Sequence, residues 1–389
     1  MSLEVALLGR ERLPELYRFR HSVFFEELGA LLSPEQIERG LMTDALDEVA
    51  FNYALLDGSD IVGSLRFVDL HRVVARAELV KKYSLEPIIE RFGASGIAIS
   101  GRLALAARYR SGIALIRLIA KGVEDARSRG IKVGVSDCSP YLLPFEERLG
   151  YRRYAEPFND PVYGLKLPIL LLGEGVKYLS SVRSPIARVA ADFEGDETVE
   201  DWFQKTYPQF SAASGQLRPA KDQWERAAEV LGRRRSEQLP FLSGLDPEEV
   251  QVLFDGAVSL SVTRGHYLIR KGMKEDHLYL ILRGRADAVD ATGSVVRRFG
   301  AGDIVGESAF LTNSPRSSDV VVRECTECVL IDSRTLSRSD AKRSQLYEKV
   351  LRNIAWMLAP RLKAPDESLP RLRPPESVLA APHLYPGSG

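Results

Sequence analysis

The sequence predicts an α+β chain. Its parts are an N-terminal mixed α/β domain (residues 1–175), a helical connector (176–236), a C-terminal β-roll with flanking helices (237–363) and a proline-rich tail (364–389). Three observations carry that division. Helical and strand-like spacings of apolar residues alternate up to about residue 173. No strand pattern follows until about residue 237. Beyond it, short β-rich runs are separated by glycine turns, as in a small barrel or roll.

In the first domain, residues 13–28 carry Leu16, Tyr17, Phe19, Val23 and Phe24 at helical spacing. Residues 51–56 and 61–69 are strands joined by the hairpin signal Asp57-Gly58-Ser59-Asp60. Residues 97–106 alternate as a strand. A helix over 112–129 is ended by Gly130. A strand over 132–138, a short helix over 144–149 ended by Gly150 and a last strand over 163–172 complete the domain.

The connector is expected to hold helices over 196–207 and 221–235, with Trp202 packing on the first domain. Its basic run Arg233-Arg234-Arg235 suits a solvated helix end. Seven prolines lie from Pro360 to Pro386, six of them in the tail, which excludes regular structure there.

In the C-terminal segment, residues 277–282 are apolar and β-rich and reach Gly284. Ala286, Ala288 and Val289 lead to the turn Asp290-Ala291-Thr292-Gly293. Residues 295–299, 319–323 and 327–331 are further strands, and 344–362 is a helix. Between them lies the most informative stretch, Gly306-Glu307-Ser308-Ala309-Phe310-Leu311 followed by Pro315-Arg316-Ser317-Ser318. Gly306 has no Cβ and admits close backbone approach. Residues 308–311 can form one helical turn whose free amides favour an anion. Arg316 adds a planar, permanently charged donor for phosphate oxygens. Glu307 would repel a phosphate, so its natural partner is a sugar hydroxyl.

This segment resembles a cyclic-nucleotide-binding domain, with Gly265, Gly272 and Gly284 where that family turns its strands. The resemblance implies that Glu307 binds the ribose 2′-hydroxyl. It implies that the Ser308 and Ala309 amides and Arg316 bind the cyclic phosphate, and that Ser317 adds a hydroxyl. The effector is expected to be cAMP rather than cGMP, although Ser317 could serve a guanine amino group. The helix over 344–362 carries Tyr347, Val350, Leu351, Ile354, Trp356 and Leu358. It is the expected coupling element, with Tyr347 or Trp356 the candidate for stacking near the base.

Fifty-three basic and 53 acidic residues give no net charge, which argues against a large nucleic-acid or anionic-membrane footprint. No helix-turn-helix pattern follows the roll. No apolar run approaches a membrane span, and the start lacks a signal-peptide pattern. Three cysteines suit a reducing compartment, so a cytoplasmic location is expected. Cys325 and Cys328 have CxxC spacing without a second pair, the five histidines form no close cluster, and no metal is expected.

The first domain has an order rather than one strong motif. A strand feeds Ala107-Arg108-Tyr109-Arg110-Ser111-Gly112-Ile113-Ala114 into a helix. A strand, a short helix and Leu149-Gly150-Tyr151 follow. Gly112, Ala114 and the free amides there could hold a pyrophosphate, with Arg108 and Arg110 adding charge. This order resembles the GNAT acyltransferases, and within them the N-acyl amino acid and acyl-homoserine-lactone synthases. The likeness rests on residues 16–24, Asp44, Asp47, residues 63–67 and Ser100-Gly101-Arg102-Leu103-Ala104.

The resemblance places Arg20, Asp44, Asp47, Arg66 and Arg102 on the amine-acceptor side. It places Gly112 and Ala114 in the acyl-donor loop, where Tyr109 stands for an expected Arg or Gln. Ile99 replaces a glutamate, and Glu146 a tyrosine, that the family often uses. Asp44 or Asp47 could instead take the amine proton through water. The resemblance implies an N-acyltransferase using an acyl-CoA or acyl-carrier-protein thioester. A small amine or a protein lysine would accept the acyl group, under cyclic-nucleotide control. The alternative is a cyclic-nucleotide sensor with a non-catalytic first domain.

Overall fold

The structure, a computed structural model, describes residues 3–110, 113–211, 220–232, 239–333 and 341–362. The first domain is one mixed sheet. Its strands are β1 (Leu3–Leu7), β2 (Phe51–Asp57), β3 (Asp60–Asp69), β4 (Ile97–Leu105), β5 (Val133–Cys138), β6 (Arg152–Arg153), β7 (Phe158–Asp160) and β8 (Gly164–Leu172). They run in the order β1-β2-β3-β4-β5-β8-β6, with β7 on β8. Every pair is antiparallel except β4 and β5.

That parallel pair holds only between Ile97–Ile99 and Val133–Val135. Beyond it β4 runs on to Leu105 and β5 to Cys138 without pairing with each other. The last link is a side chain: Ser136 Oγ donates to Ser100 O at 3.0 Å. A distortion lies on the other edge of β4. The β3–β4 register shifts between Ser64 and Arg66, and Arg102 takes φ +54°, a left-handed conformation rare outside glycine. The bulge falls where β4 stops pairing with β5, and the gap between the two strands beyond that point is the cleft.

Helix Ile113–Ser128 covers one face through Leu118, Ile119, Val123 and Ala126. A Cβ on its Gly122 would stand 2.4 Å from the Phe67 ring, so only glycine lets the helix lie this close. The other face is covered by helices Ala77–Tyr83, Glu86–Phe92 and Thr198–Thr206. Trp202 meets Phe92 at 5.1 Å and Tyr207 at 5.7 Å, as its sequence position suggested. Val199 and Phe203 are fully buried beside Val133, Val135 and Leu170, so this helix belongs to the first domain's core.

The second sheet has β9 (Val258–Val262), β10 (Tyr267–Ile269), β11 (Leu278–Val289), β12 (Val295–Phe299), β13 (Ile304–Val305) and β14 (Asp319–Ile331). Its order is β10-β14-β11-β12, with β13 on β11 and β9 on β14, all antiparallel. It forms the expected β-roll with helices. The runs 277–282 and 286–289 are one strand, and so are 319–323 and 327–331. Bulges at Arg283 and Arg285 break their alternation. A Cβ on Gly284, at φ +92°, would stand 2.3 Å from Cys325 O. Cys328 is buried and Cys325 exposed, on opposite faces of β14.

Helix Ala341–Leu362 buries Leu346, Val350 and Ile354 against Phe241, Phe254 and Val329 of its own domain. Among the described residues, no helix is long and apolar enough to cross a membrane and no group of His, Cys, Asp and Glu could hold a metal ion. Arg233, Arg234, Arg235, Gly112 and the tail lie outside the described residues.

Candidate functional site

The cleft between β4 and β5 has two walls. On the β3–β4 wall the five polar residues singled out from sequence converge. Arg20 is fully buried: Nε donates to Ser64 Oγ at 2.8 Å, Nη1 to Asp47 Oδ1 at 2.8 Å and Nη2 to Asn52 Oδ1 at 2.6 Å. Asp47 Oδ2 accepts from Thr43 Oγ1 at 3.1 Å and Asp44 N at 3.0 Å, and pairs with Arg66 at 3.1 Å. Asp44 caps the short helical turn Ala45–Glu48 through Leu46 N. Its carboxylate also accepts from Arg66 Nη1 at 2.7 Å and Arg102 Nη2 at 2.5 Å. Arg102 Nη1 donates to the Tyr163 hydroxyl.

This arrangement corrects one expectation. Burial works to raise both carboxyls, but Arg66 and Arg102 hold Asp44 far below the carboxylate range. Arg66 and Arg20 lower Asp47 in the same way. Two such carboxylates are poor proton acceptors from an amine. They hold arginines in place.

The β5–β8 wall carries groups that sequence spacing did not connect. Tyr83 donates to Asp137 at 2.6 Å. Lys166 lies 3.7 Å from Asp137, donates to Ser139 Oγ at 3.2 Å and sits over the Tyr163 ring. Tyr151 hydroxyl meets Ser100 Oγ at 3.4 Å where β4 leaves β5. Burial pushes Glu146 up to about 7, against the pull of Lys166 and with the help of Asp137. Burial also pushes the Cys138 thiol well up, which disfavours it as a nucleophile.

The acyl-donor loop is only partly as expected. Arg110 forks onto Glu27, with Nη2 to Oε2 at 2.6 Å. Arg108 is exposed and lies 3.6 Å from Asp57. Ala114 is buried in the core, so its side chain packs rather than lines a site.

In the roll, Gly306 takes φ +94° and caps the turn Glu307–Thr312. A Cβ there would stand 2.5 Å from Arg316 Nη1, so the guanidinium can sit here only because residue 306 is glycine. Glu307 is buried and accepts from Arg297 Nη1 at 2.7 Å, a β12 partner missed from sequence. Ser308 and Ala309 occupy the first helical positions, whose amides have no carbonyl one turn back. Ser317 is exposed.

Arg316 is 3% exposed. Nη1 donates to Gly306 O at 3.0 Å and Nη2 to His277 O at 2.8 Å. Nε faces Glu275 at 3.8 Å and has no hydrogen-bond partner among the described residues. Tyr347 lies 6.2 Å from Phe310 of the Glu307–Thr312 turn, whereas Trp356 is 77% exposed and cannot stack there as it stands.

Comparison with known proteins bears on this half. Residues 259–339 match the family model of the cyclic nucleotide-binding domain. A cGMP-dependent protein kinase, isozyme 1, of Drosophila melanogaster is 33% identical over 99 residues, 25% of this chain and 13% of that protein. A cAMP-dependent protein kinase regulatory subunit of Emericella nidulans is 33% identical over 85 residues, 22% of this chain and 21% of that protein. The chain thus covers a small part of either relative. A solved cyclic nucleotide-binding domain from Methylobacillus flagellatus is 25% identical, covers 38% of this chain and 82% of that one, and superposes with a TM-score of 0.32. By family model, the C-terminal segment is a cyclic nucleotide-binding domain.

Proposed function

We propose that the chain is an N-acyltransferase controlled by a cyclic nucleotide, with cAMP the favoured effector. The cyclic-nucleotide half is supported by the matched family model and by Glu307 and Arg316 on either side of one glycine-capped turn. The acyltransferase half is carried by one observation, the mid-sheet cleft where β4 parts from β5. A strand edge without a neighbour offers amides to a developing oxyanion. An extended thioester arm can lie along the same edge.

In this scheme an amine attacks the thioester carbonyl, a C–N bond forms, and the C–S bond breaks as the thiolate leaves. The amine loses a proton and the thiolate gains one. Glu146 suits that exchange, because a carboxyl near 7 both accepts and returns a proton at neutral pH. Arg66 and Arg102 orient the acceptor. The acceptor is a small amine or a protein lysine, and the donor an acyl-CoA or an acyl carrier protein.

The occupied arginines and carboxylates also favour a second reading, a nucleotide sensor whose first domain only binds. A thiol-release assay over a panel of thioester donors and amines, with and without cAMP, separates the two. Release that depends on the amine is expected. Silence across the panel with cAMP binding intact leaves the sensor. A donor and cAMP are further expected to alter each other's Kd by the same factor.

A further inference from the structure

The two domains meet along the segment that holds the phosphate arm. Residues 270–277 join β10 to β11 and lie on the first domain. Lys274 N donates to Leu28 O at 3.2 Å, and its Nζ to Glu26 O at 2.8 Å. A Cβ on Gly29 would stand 2.6 Å from Gly272 O, and one on Gly164 3.0 Å from Arg270 Cγ. His277 stacks on Tyr141, with ring centres 5.3 Å apart and planes 28° apart.

Arg316 is tied into the same segment from the other side. Its N donates to Met273 O at 2.9 Å and its O accepts from Gly272 N at 2.9 Å. Its guanidinium reaches His277 O and faces Glu275. Glu275 is largely buried, 3.8 Å from Arg316 Nε, too far for a hydrogen bond. Burial disfavours its charge, while Arg316 and, across the domain boundary, Lys166 favour it.

We propose that Glu275 is the anion a cyclic phosphate displaces from Arg316, and that residues 270–277 thereby transmit nucleotide occupancy to the first domain. The proposal rests only on the cyclic-nucleotide part of the function above. A phosphate oxygen making charge-assisted hydrogen bonds outcompetes a carboxylate held at ion-pair distance. A second negative charge beside Glu275 then repels it, in a space with little water. Glu275 yields by moving toward Lys166 or by taking a proton. Either change alters the segment bonded to Leu28 and stacked on Tyr141. The helix Ala341–Leu362, the coupling element expected from sequence, buries its apolar face within the roll.

The test uses the full chain, a fluorescent cAMP analogue, and hydrogen exchange with and without cAMP. Glu275→Gln keeps size and removes the competing charge. It is expected to tighten binding by roughly tenfold and to reduce the cAMP-induced exchange change at residues 26–31 and 139–142. Lys274→Ala touches neither phosphate nor Arg316. It is expected to leave affinity unchanged and to weaken the same exchange response. Equal or weaker binding by Glu275→Gln overturns the proposal, as does a wild-type exchange response confined to residues 341–362. Wild-type chain that binds neither cAMP nor cGMP overturns both the proposal and the function it rests on.

Discussion

Arg20 of the first domain and Arg316 of the roll are both buried but unequally satisfied. Arg20 has a hydrogen bond on each of its three nitrogens, all to side chains. Arg316 has backbone carbonyls on two and a distant carboxylate on the third. A buried charge with a partner on every nitrogen has little left to offer a ligand and serves as a fixed strut. A partly satisfied one keeps binding capacity, at a desolvation cost the fold carries until a ligand arrives.

The largest break in that contrast is Arg20→Ala. It leaves Asp47 buried with half its compensation and is expected to cost about 3–5 kcal/mol. Denaturant unfolding followed by Trp202 fluorescence measures it, and a loss under about 1 kcal/mol would show the strut to be dispensable. Arg316→Ala acts on the other side of the comparison. Its expected effect is a ten- to hundredfold loss of cyclic-nucleotide affinity, about 1.5–3 kcal/mol by calorimetry.

Glu146, on helix Leu143–Leu149 after β5, sharpens the contrast, since among the described residues no ion pair holds it. Its carboxyl is raised from the ordinary 4.5 to about 7 in the fold. The stability it contributes is therefore full below about 4.5 and is lost as pH rises through about 7. Wild-type Tm should fall over that window, and Glu146→Gln should flatten the fall. A matching slope in both would remove Glu146 from the proton chemistry proposed for it. The smallest effect is expected at Trp356, an exposed ring on the last described helix. Trp356→Ala should change stability by no more than about 0.5 kcal/mol and leave cyclic-nucleotide affinity alone. A clear loss of affinity would show that the helix swings onto the ligand.

The roll's site was legible because its parts are contiguous. Gly306, Glu307 and Arg316 lie within eleven positions of one another, and each has a distinct chemical reason to be there. The strands β12 and β8 were legible almost to the residue, because turns bound them. What stayed hidden is what only the fold assembles. Arg297, Glu275, Lys166 and Tyr163 sit on different elements from their partners. The long strands β11 and β14 were split because bulges interrupt their two-residue period. The pairing of Asp44 and Asp47 with arginines, and hence their weak basicity, was equally invisible to spacing.

The helix Thr198–Thr206 has a practical consequence for dissecting the chain. Sequence alone suggests ending the first domain near residue 175. Phe203 is fully buried in that domain's core, and Arg152 grips Glu200 through two hydrogen bonds of 2.9 and 2.8 Å. A fragment stopped at 175 would expose the sheet face that Val199 and Phe203 cover. Losing Phe203 alone is worth about 3–5 kcal/mol. Expression of the first domain by itself should therefore extend at least to Ser211, and a shorter piece would aggregate for reasons unrelated to catalysis or to control by nucleotide.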